Sequence, residues 1–321
     1  MHTTRVRQRR KKAAIRGAGQ RRGPGEAALP VVRHIANLWT LVWYPSRKEE
    51  WPLERKLRAV KEAGFDGFTT QLTPRHARLG DRLGLTRVGY FASGNPREFA
   101  RLLREQRDAG AQQINVQLAD HDTPAARALS LARRLMDEAR RLGVEAAVEV
   151  HRDTCTETPE KAYALADAYE TATGELLPMT WDYSHIAVVK HLLPPYWPRL
   201  GVRPDLIQRA QQFHFRPFNG HHCQVPVTDG RGKLTPEFRD YAPFMQQVME
   251  TWLAAASPGR EMFAVPEMGP LWLGYNLHAL PNSWEDAKVL REETEKCWQR
   301  ALRAARGSAG RRLTRRSRHS Q

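Results

Sequence analysis

The chain has 321 residues, 41% hydrophobic and 27% charged, a composition that supports a sizeable folded core. Its formal net charge is +16, yet residues 1–30 hold nine Arg/Lys against one acid (Glu26), residues 299–321 hold eight Arg and no acid, and 31–298 balances 34 basic against 34 acidic residues. A neutral middle argues against a folded domain built to grip a duplex, and no apolar run approaches the ~20 residues of a membrane span.

The first strand signal is HIANLWTLVWY (34–44), followed by an amphipathic helix over 52–63 that Gly64 stops. FDGFTTQL (65–72) predicts the second strand, with a short helix to about residue 83, and TRVGYFAS (86–93) the third. Pro96 opens a helix to about 108; QQINVQLA (112–119) is the fourth strand; a long helix spans 124–141 up to Gly143. VEAAVEVH (144–151) is the fifth strand, and Pro159 opens a helix to about 172. PMTWDYSH (178–185) and QQFHFRPF (211–218) are the sixth and seventh strands, separated by a proline-rich connection, 186–210, with no clear pattern. Pro236 begins a helix to about 254, REMFAVPEMGP (260–270) carries the eighth strand, and a last helix covers 284–305.

Eight strands alternating with helices predict an α/β fold, a single (β/α)8 TIM barrel over 31–305. A doubly wound open sheet is the alternative, but no GxGxxG follows the first strand. Basic tails, expected to be disordered, flank the barrel at 1–30 and 306–321, since they combine like charges with few large apolar residues. They are the one place where nucleic acid could bind. The basic N-terminus lacks the apolar stretch of a secretory signal. Three scattered cysteines (Cys155, Cys223, Cys297) build neither a disulfide scaffold nor a CxxC zinc site and fit a reducing, cytoplasmic setting.

In such a barrel the active site lies at the C-terminal ends of the strands. There the fifth strand carries Glu149, the sixth Asp182, the seventh His214 and the eighth Glu267. Three carboxylates converging would repel, and a divalent cation removes that cost. A mixed oxygen/nitrogen donor set suits one Mn, Co, Mg or Zn ion. Alternation places His151 on the same face as Glu149, and Arg216 with His214. His185, taken alone, could be a packed core histidine. His34 reads as structural or as a rim residue. His76 and His121 follow the second and fourth strands, where they could face the mouth or lie on surface loops. His221 and His222, in a loop that also holds Cys223 and Asp229, read as a lid or substrate contact. Aromatic residues such as Trp39 and Tyr90 could wall a polyol pocket.

Glu149, the D-x-x-H of Asp182 to His185, His214 and Glu267, in VEVHRDT, TWDYSH and VPEMGP, resemble the xylose isomerase-like TIM-barrel superfamily over roughly 34–305. The similarity is to its sugar phosphate isomerase/epimerase branch. The resemblance implies Glu149, Asp182, His214 and Glu267 as ligands of one metal, with His185 and Arg216 on the substrate. It implies an isomerase or epimerase of a sugar-like polyol, with Glu149 and Glu267 moving protons through a cis-enediolate. The same site could serve a dehydratase or lyase on a keto-polyol such as an inosose. A zinc phosphodiesterase similar to endonuclease IV is the more distant alternative, since an Asp-x-His pair after the seventh strand is replaced by Asp229-Gly230-Arg231. The expected partner is a small carbohydrate-like molecule, with a homo-oligomer as an open alternative.

Overall fold

The computed structural model describes residues 28–276 and 281–317, with residues 308–317 by backbone only. The strands are β1 (Val31–Asn37), β2 (Gly67–Thr70), β3 (Thr86–Ser93), β4 (Gln113–Leu118), β5 (Ala146–Glu149), β6 (Met179–Thr180), β7 (Gln212–His214) and β8 (Glu261–Val265). All pair in parallel in the order β6-β5-β4-β3-β2-β1-β8-β7. The two edges meet through one parallel bridge, Trp181 to Phe213, where His214 N–H donates to the Trp181 carbonyl at 2.9 Å. The result is a nearly closed barrel whose last joint lies one residue from two of the candidate ligands.

The helices are α1 (Leu53–Glu62), α2 (Pro74–Leu83), α3 (Phe99–Asp108), α4 (Ala125–Leu142), α5 (Pro159–Thr173), α6 (Tyr183–Val189), α7 (Trp197–Leu200), α8 (Pro204–Arg209), α9 (Pro236–Leu253) and α10 (Ser283–Ser317). Their starts follow local chemistry. Thr73, Thr158 and Thr235 cap α2, α5 and α9, each followed by Pro at the first helical position. Gly143 ends α4 with φ 64°, a left-handed conformation that a side chain would strain.

Alternation divides every strand between two cores. Ile35, Val88, Phe263 and Val265 form a small apolar cluster inside the barrel. The opposite parity (Ala36, Phe91, Val116, Val148, Phe213 and Ala264) packs with Leu57, Leu103, Leu135, Leu165 and Met245 of the helices in the main core.

Several boundaries differ from the sequence reading. The first strand runs over Val31–Asn37 rather than 34–44, because the Asn37 side chain accepts from Trp39 N–H and turns the chain into a 3-10 turn, Leu38–Leu41. Leu38 and Leu41 are buried there, so the apolar run continues after the strand has ended. The sixth strand is two residues long, because Asp182 caps α6 instead of continuing the ladder. The unpatterned 186–210 segment holds the rest of α6, then α7 and α8. The last helix continues to Ser317, beyond the expected 305. Residues 1–27 and 318–321, where much of the basic tails falls, lie outside the described residues. No helix among the described residues is long and apolar enough to cross a membrane.

Two of the three thiols are buried, Cys155 in the loop between β5 and α5 and Cys297 on α10. Burial pushes Cys155 up to about 12 and Cys297 up to about 11, whereas Cys223 is half-buried on the loop after β7. A thiol is reactive as thiolate, so disulfide-exchange reagent at pH 8 is expected to label about one thiol per native chain. Rapid labelling of two or three would show that the buried positions open.

Candidate metal centre

Strand parity assembles the site. Inward positions recur every second residue, so β1 contributes Ile35 then Asn37, β5 Glu149 then His151, β7 Gln212, His214 and Arg216, and β8 Phe263, Val265 and Glu267. Apolar members fill the lower barrel and polar members the C-terminal mouth. There Glu149, Asp182, His214 and Glu267, all buried, bring one ligand atom each within 4.8 Å of one another.

Each carboxylate is held by one oxygen and faces inward with the other. Glu149 Oε2 accepts from Asn115 Nδ2 at 2.8 Å, and its Oε1 lies 3.0 Å from His214 Nδ1. Glu267 Oε1 accepts from Asn37 Nδ2 at 2.9 Å, and its Oε2 lies 2.7 Å from His214 Nδ1. Asp182 Oδ1 accepts from Ser184 N–H at 3.0 Å and Ser184 Oγ at 2.6 Å. Its Oδ2 faces Arg216 Nη2 at 3.1 Å and His185 Nε2 at 3.4 Å. Asp182 Oδ2, His214 Nδ1 and Glu267 Oε2 are buried atoms with no aligned hydrogen-bond partner. Three orphaned donor atoms that converge, each on an anchored side chain, fit a divalent cation of oxygen/nitrogen preference.

The imidazole is oriented from behind. His214 Nε2 lies 2.8 Å from the Gln212 amide nitrogen, while Gln212 Oε1 is buried without a partner. Turning the amide over, which its shape permits, lets Nε2–H donate to Gln212 Oε1 and leaves the Nδ1 lone pair facing the carboxylates.

The charges are strongly coupled. Burial opposes ionisation of all three carboxyls, but neighbouring cations win. Arg216 and His214 hold Glu267 down to about 2, Arg216 and His185 hold Asp182 well below its usual value, and His214 and His151 lower Glu149. Burial likewise disfavours the His214 cation, yet Glu267 and Glu149 raise it well above the ordinary imidazole value. Arg216, 1% exposed, reaches Glu267 Oε2 with Nη2 at 3.0 Å and has Nε and Nη1 unpartnered.

A cavity of about 500 Å³ opens above these groups, walled by Trp39, Thr69, Gln71, His76, Tyr90, Gln117, His151, Arg152 and Tyr275 besides Glu149, His214, Arg216 and Glu267. Trp39 and Tyr275 meet edge to face at 4.7 Å, and the Arg216 guanidinium lies 5.1 Å from the Tyr275 ring. Gly269 makes this corner possible: a Cβ there would stand 2.4 Å from Tyr275. Gln224, from the loop after β7, clamps Gly269 by accepting from its N–H at 2.6 Å and donating to its carbonyl at 3.2 Å. Tyr90 donates to Gln117 Oε1 at 2.8 Å, and burial, with Glu149 and Glu267, pushes its phenol up to about 12.

Not every expected residue reaches the cavity. His185 sits behind the wall, buried, with its ring 4.4 Å from that of His151. His121 is exposed beside Asp122, 3.4 Å away, outside the cavity lining. Ala119, with φ 57°, turns the chain outward before it. His222 is exposed too, because Asn219 Oδ1 gathers the His221 and His222 amides into a surface turn. Asp229 closes another exposed turn with Arg231 and Lys233. His34 is structural, with Nε2 3.0 Å from Glu295 on α10. The sequence reading missed Asn37, Asn115 and Gln117. The alternation Gln113, Asn115, Gln117 inside an apolar strand was the available signal for two of them.

In the metal-free protein the raised His214 value leaves Nδ1 protonated at neutral pH, whereas a metal requires its lone pair. That proton stabilises the metal-free fold fully below the unfolded value near ~6.5, and the contribution fades as pH rises through the folded value. Metal affinity is therefore expected to climb with pH, by up to about tenfold per unit, with about one proton released per ion. Titration calorimetry in buffers of differing ionisation enthalpy checks this, and affinity flat from pH 6 to 8 contradicts it. Asn37→Ala and Asn115→Ala are each expected to weaken metal binding about 10–100-fold, measured by the same titration.

No family model and no curated protein matches the chain. Among solved structures, a xylose isomerase-like TIM barrel protein from Mycobacterium smegmatis in complex with magnesium superposes with TM-score 0.53 at 16% identity, over 83% of this chain and 97% of that one. A D-tagatose 3-epimerase-like protein superposes with TM-score 0.50 at 13% identity, over 84% of this chain and 99% of that one. At these identities the likeness is one of fold, and the chain has the fold of the xylose isomerase-like TIM barrels.

Proposed function

We propose that the chain is a metal-dependent isomerase or epimerase of a sugar or sugar-like polyol. The observation that carries this reading is the convergence of Glu149, Asp182, His214 and Glu267 within 4.8 Å, with Glu149, His214 and Glu267 lining the cavity. The fold likeness to a D-tagatose 3-epimerase-like protein supports it.

A divalent ion held by these four residues would supply Lewis-acid polarisation of a substrate carbonyl and its neighbouring hydroxyl. The chain's own groups do the rest. One of Glu149 and Glu267, both ionised at rest, takes the C–H proton while the other takes the neighbouring hydroxyl proton, giving a cis-enediolate; the second then delivers its proton to the opposite face of the carbon and the first returns its proton to the oxygen, so both glutamates end ionised as they began. The unpartnered Nε and Nη1 of Arg216 face the developing negative charge on oxygen. His185 acts on that charge from the second row, through its contacts with Asp182 and His151. Tyr90, Gln117, Thr69 and Gln71 supply neutral hydrogen bonds for hydroxyls, and Trp39 and Tyr275 offer aromatic faces to sugar C–H groups.

Elemental analysis of protein purified without added metal is expected to find about one Mn, Co, Mg or Zn per chain. Keto-polyols incubated with it in deuterated water should exchange a C–H proton with solvent. Glu149→Gln and Glu267→Gln are each expected to cut turnover about 10²–10⁴-fold with the fold retained by circular dichroism. Normal turnover in either variant sinks the two-glutamate mechanism. An unsaturated product without epimer would make the protein a lyase, and two or three zinc ions per chain would point to phosphodiester chemistry instead.

A further inference from the structure

The turn after β5 holds a cation at the cavity. Thr156 Oγ1 donates to the Glu149 carbonyl at 2.6 Å, and Thr154 Oγ1 donates to the His151 carbonyl at 2.7 Å. Both threonines are buried. The Arg152 carbonyl accepts from His151 Nδ1 at 2.6 Å, and Asp153 takes φ 57°, so the chain doubles back directly after Arg152. The backbone of Arg152 is thereby fixed relative to Glu149. Its side chain lines the cavity, with the guanidinium 4.7 Å from the ring of Tyr275, another lining residue.

Lys56, Arg152 and Arg216 are the lysine and arginine side chains of the cavity lining. Two of them are matched by acids. Arg216, 5.1 Å from the same Tyr275 ring, is buried against Asp182 and Glu267, and Lys56 is paired with Glu50. Arg152 is different. Its one ion pair among the described residues is with Asp153, whose side chain is 80% exposed. The separation of 3.8 Å is too long for a hydrogen bond, and water screens the attraction. The cavity therefore carries one positive charge that the protein does not match, on a side chain whose planar donor fork is open to a ligand.

We infer that Arg152 is a specificity residue that binds a carboxylate of the substrate, which makes the substrate a sugar acid rather than a neutral sugar. The inference rests on the isomerase or epimerase reading above and names its substrate class. A guanidinium matches a carboxylate in charge and presents paired N–H groups to its two oxygens. A phosphomonoester carries about 1.5 to 2 negative charges near neutral pH, more than one unmatched cation offsets. Tyr275 fixes the span. Each of the two guanidiniums lies about 5 Å from its ring centre, so they stand within about 10 Å of each other. A short polyol chain bridges that distance, with its reacting carbons at Glu149 and Glu267 and its carboxylate at Arg152.

Titration calorimetry on the full chain loaded with Mn²⁺, at about 0.15 M salt, tests this with three unreactive probes: xylitol, D-xylonate and xylitol 5-phosphate. D-xylonate is expected to bind about tenfold or more tighter than xylitol, and tighter than the phosphate. Arg152→Gln should bring D-xylonate down to the affinity of xylitol. Arg152→Lys should keep part of the difference, because an ammonium has the charge without the paired donors. Unchanged metal content in both variants serves as the control that Glu149, on the same turn, is still in place. Equal binding of xylitol and D-xylonate overturns the inference and leaves the sugar reading standing. A preference for D-xylonate that survives in Arg152→Gln also overturns it, since the carboxylate then goes to the metal. Tightest binding of xylitol 5-phosphate, lost in Arg152→Gln, would replace the carboxylate by a phosphate. If none of the three binds, the sugar reading falls and this inference falls with it.

Discussion

Three buried carboxylates cannot sit within 4.8 Å of one another unless positive charge sits with them. Glu149, Asp182 and Glu267 carry three negative charges, and the metal-free chain balances two of them with the His214 cation and Arg216. A divalent ion with neutral His214 brings the same group to zero. That electrostatic demand explains the surrounding architecture: each carboxylate is tied by its outer oxygen to Asn115, Ser184 or Asn37, so that the inner oxygens cannot relax away from one another. The anchors supply geometry, and the cations decide whether the geometry can persist.

The barrel is also weakest as a ladder where the site is strongest as chemistry. β6 and β7 hold two and three residues, and the sheet closes between them through one bridge. Asp182 leaves the ladder to cap α6, and Arg216 bends into the cavity under Trp39 and Tyr275. The lost ladder bonds are replaced by side-chain ties between loops. Gln224 grips Gly269 two residues beyond Glu267, and Asp286 at the start of α10 accepts from Val227 N–H and Thr228 Oγ1. The loops after β7 and β8 are thus tied to each other and to α10, beside the segments that carry His214, Arg216 and Glu267.

Much of this was legible in the sequence because it depends on local rules. Strand alternation is a two-residue period, so Glu149 predicts the face of His151 and His214 that of Arg216, and helix punctuation by Thr-Pro and Gly places α2, α5 and α9 to within a residue or two. The site fails to be legible where a side chain acts across the barrel. Asn37 belongs to Glu267, 230 residues away, and its capping of the Leu38–Leu41 turn is hidden inside an apolar run that reads as continuous strand. His121 and His222 follow the correct strands, but one residue with positive φ and one asparagine cap turn them toward solvent. Proximity in sequence to a strand end is therefore a poor guide unless the residue shares the strand's parity.

The charge imbalance and the buried site are separate systems for a physical reason. β1 runs from the entry corner at Val31 to Asn37 at the site, and six steps of about 3.3 Å make roughly 20 Å between them. Salt screens exposed charges over about 8 Å under physiological conditions, so an exposed charge at the Val31 end of β1 exerts almost no field on Glu149 or Glu267. The carboxylates, themselves buried, take their low values chiefly from Arg216 and His214 at contact distance. A chain with so large an excess of arginine can therefore keep a charge-balanced site, because the excess lies in the terminal segments of the sequence while 31–298 balances 34 basic against 34 acidic residues.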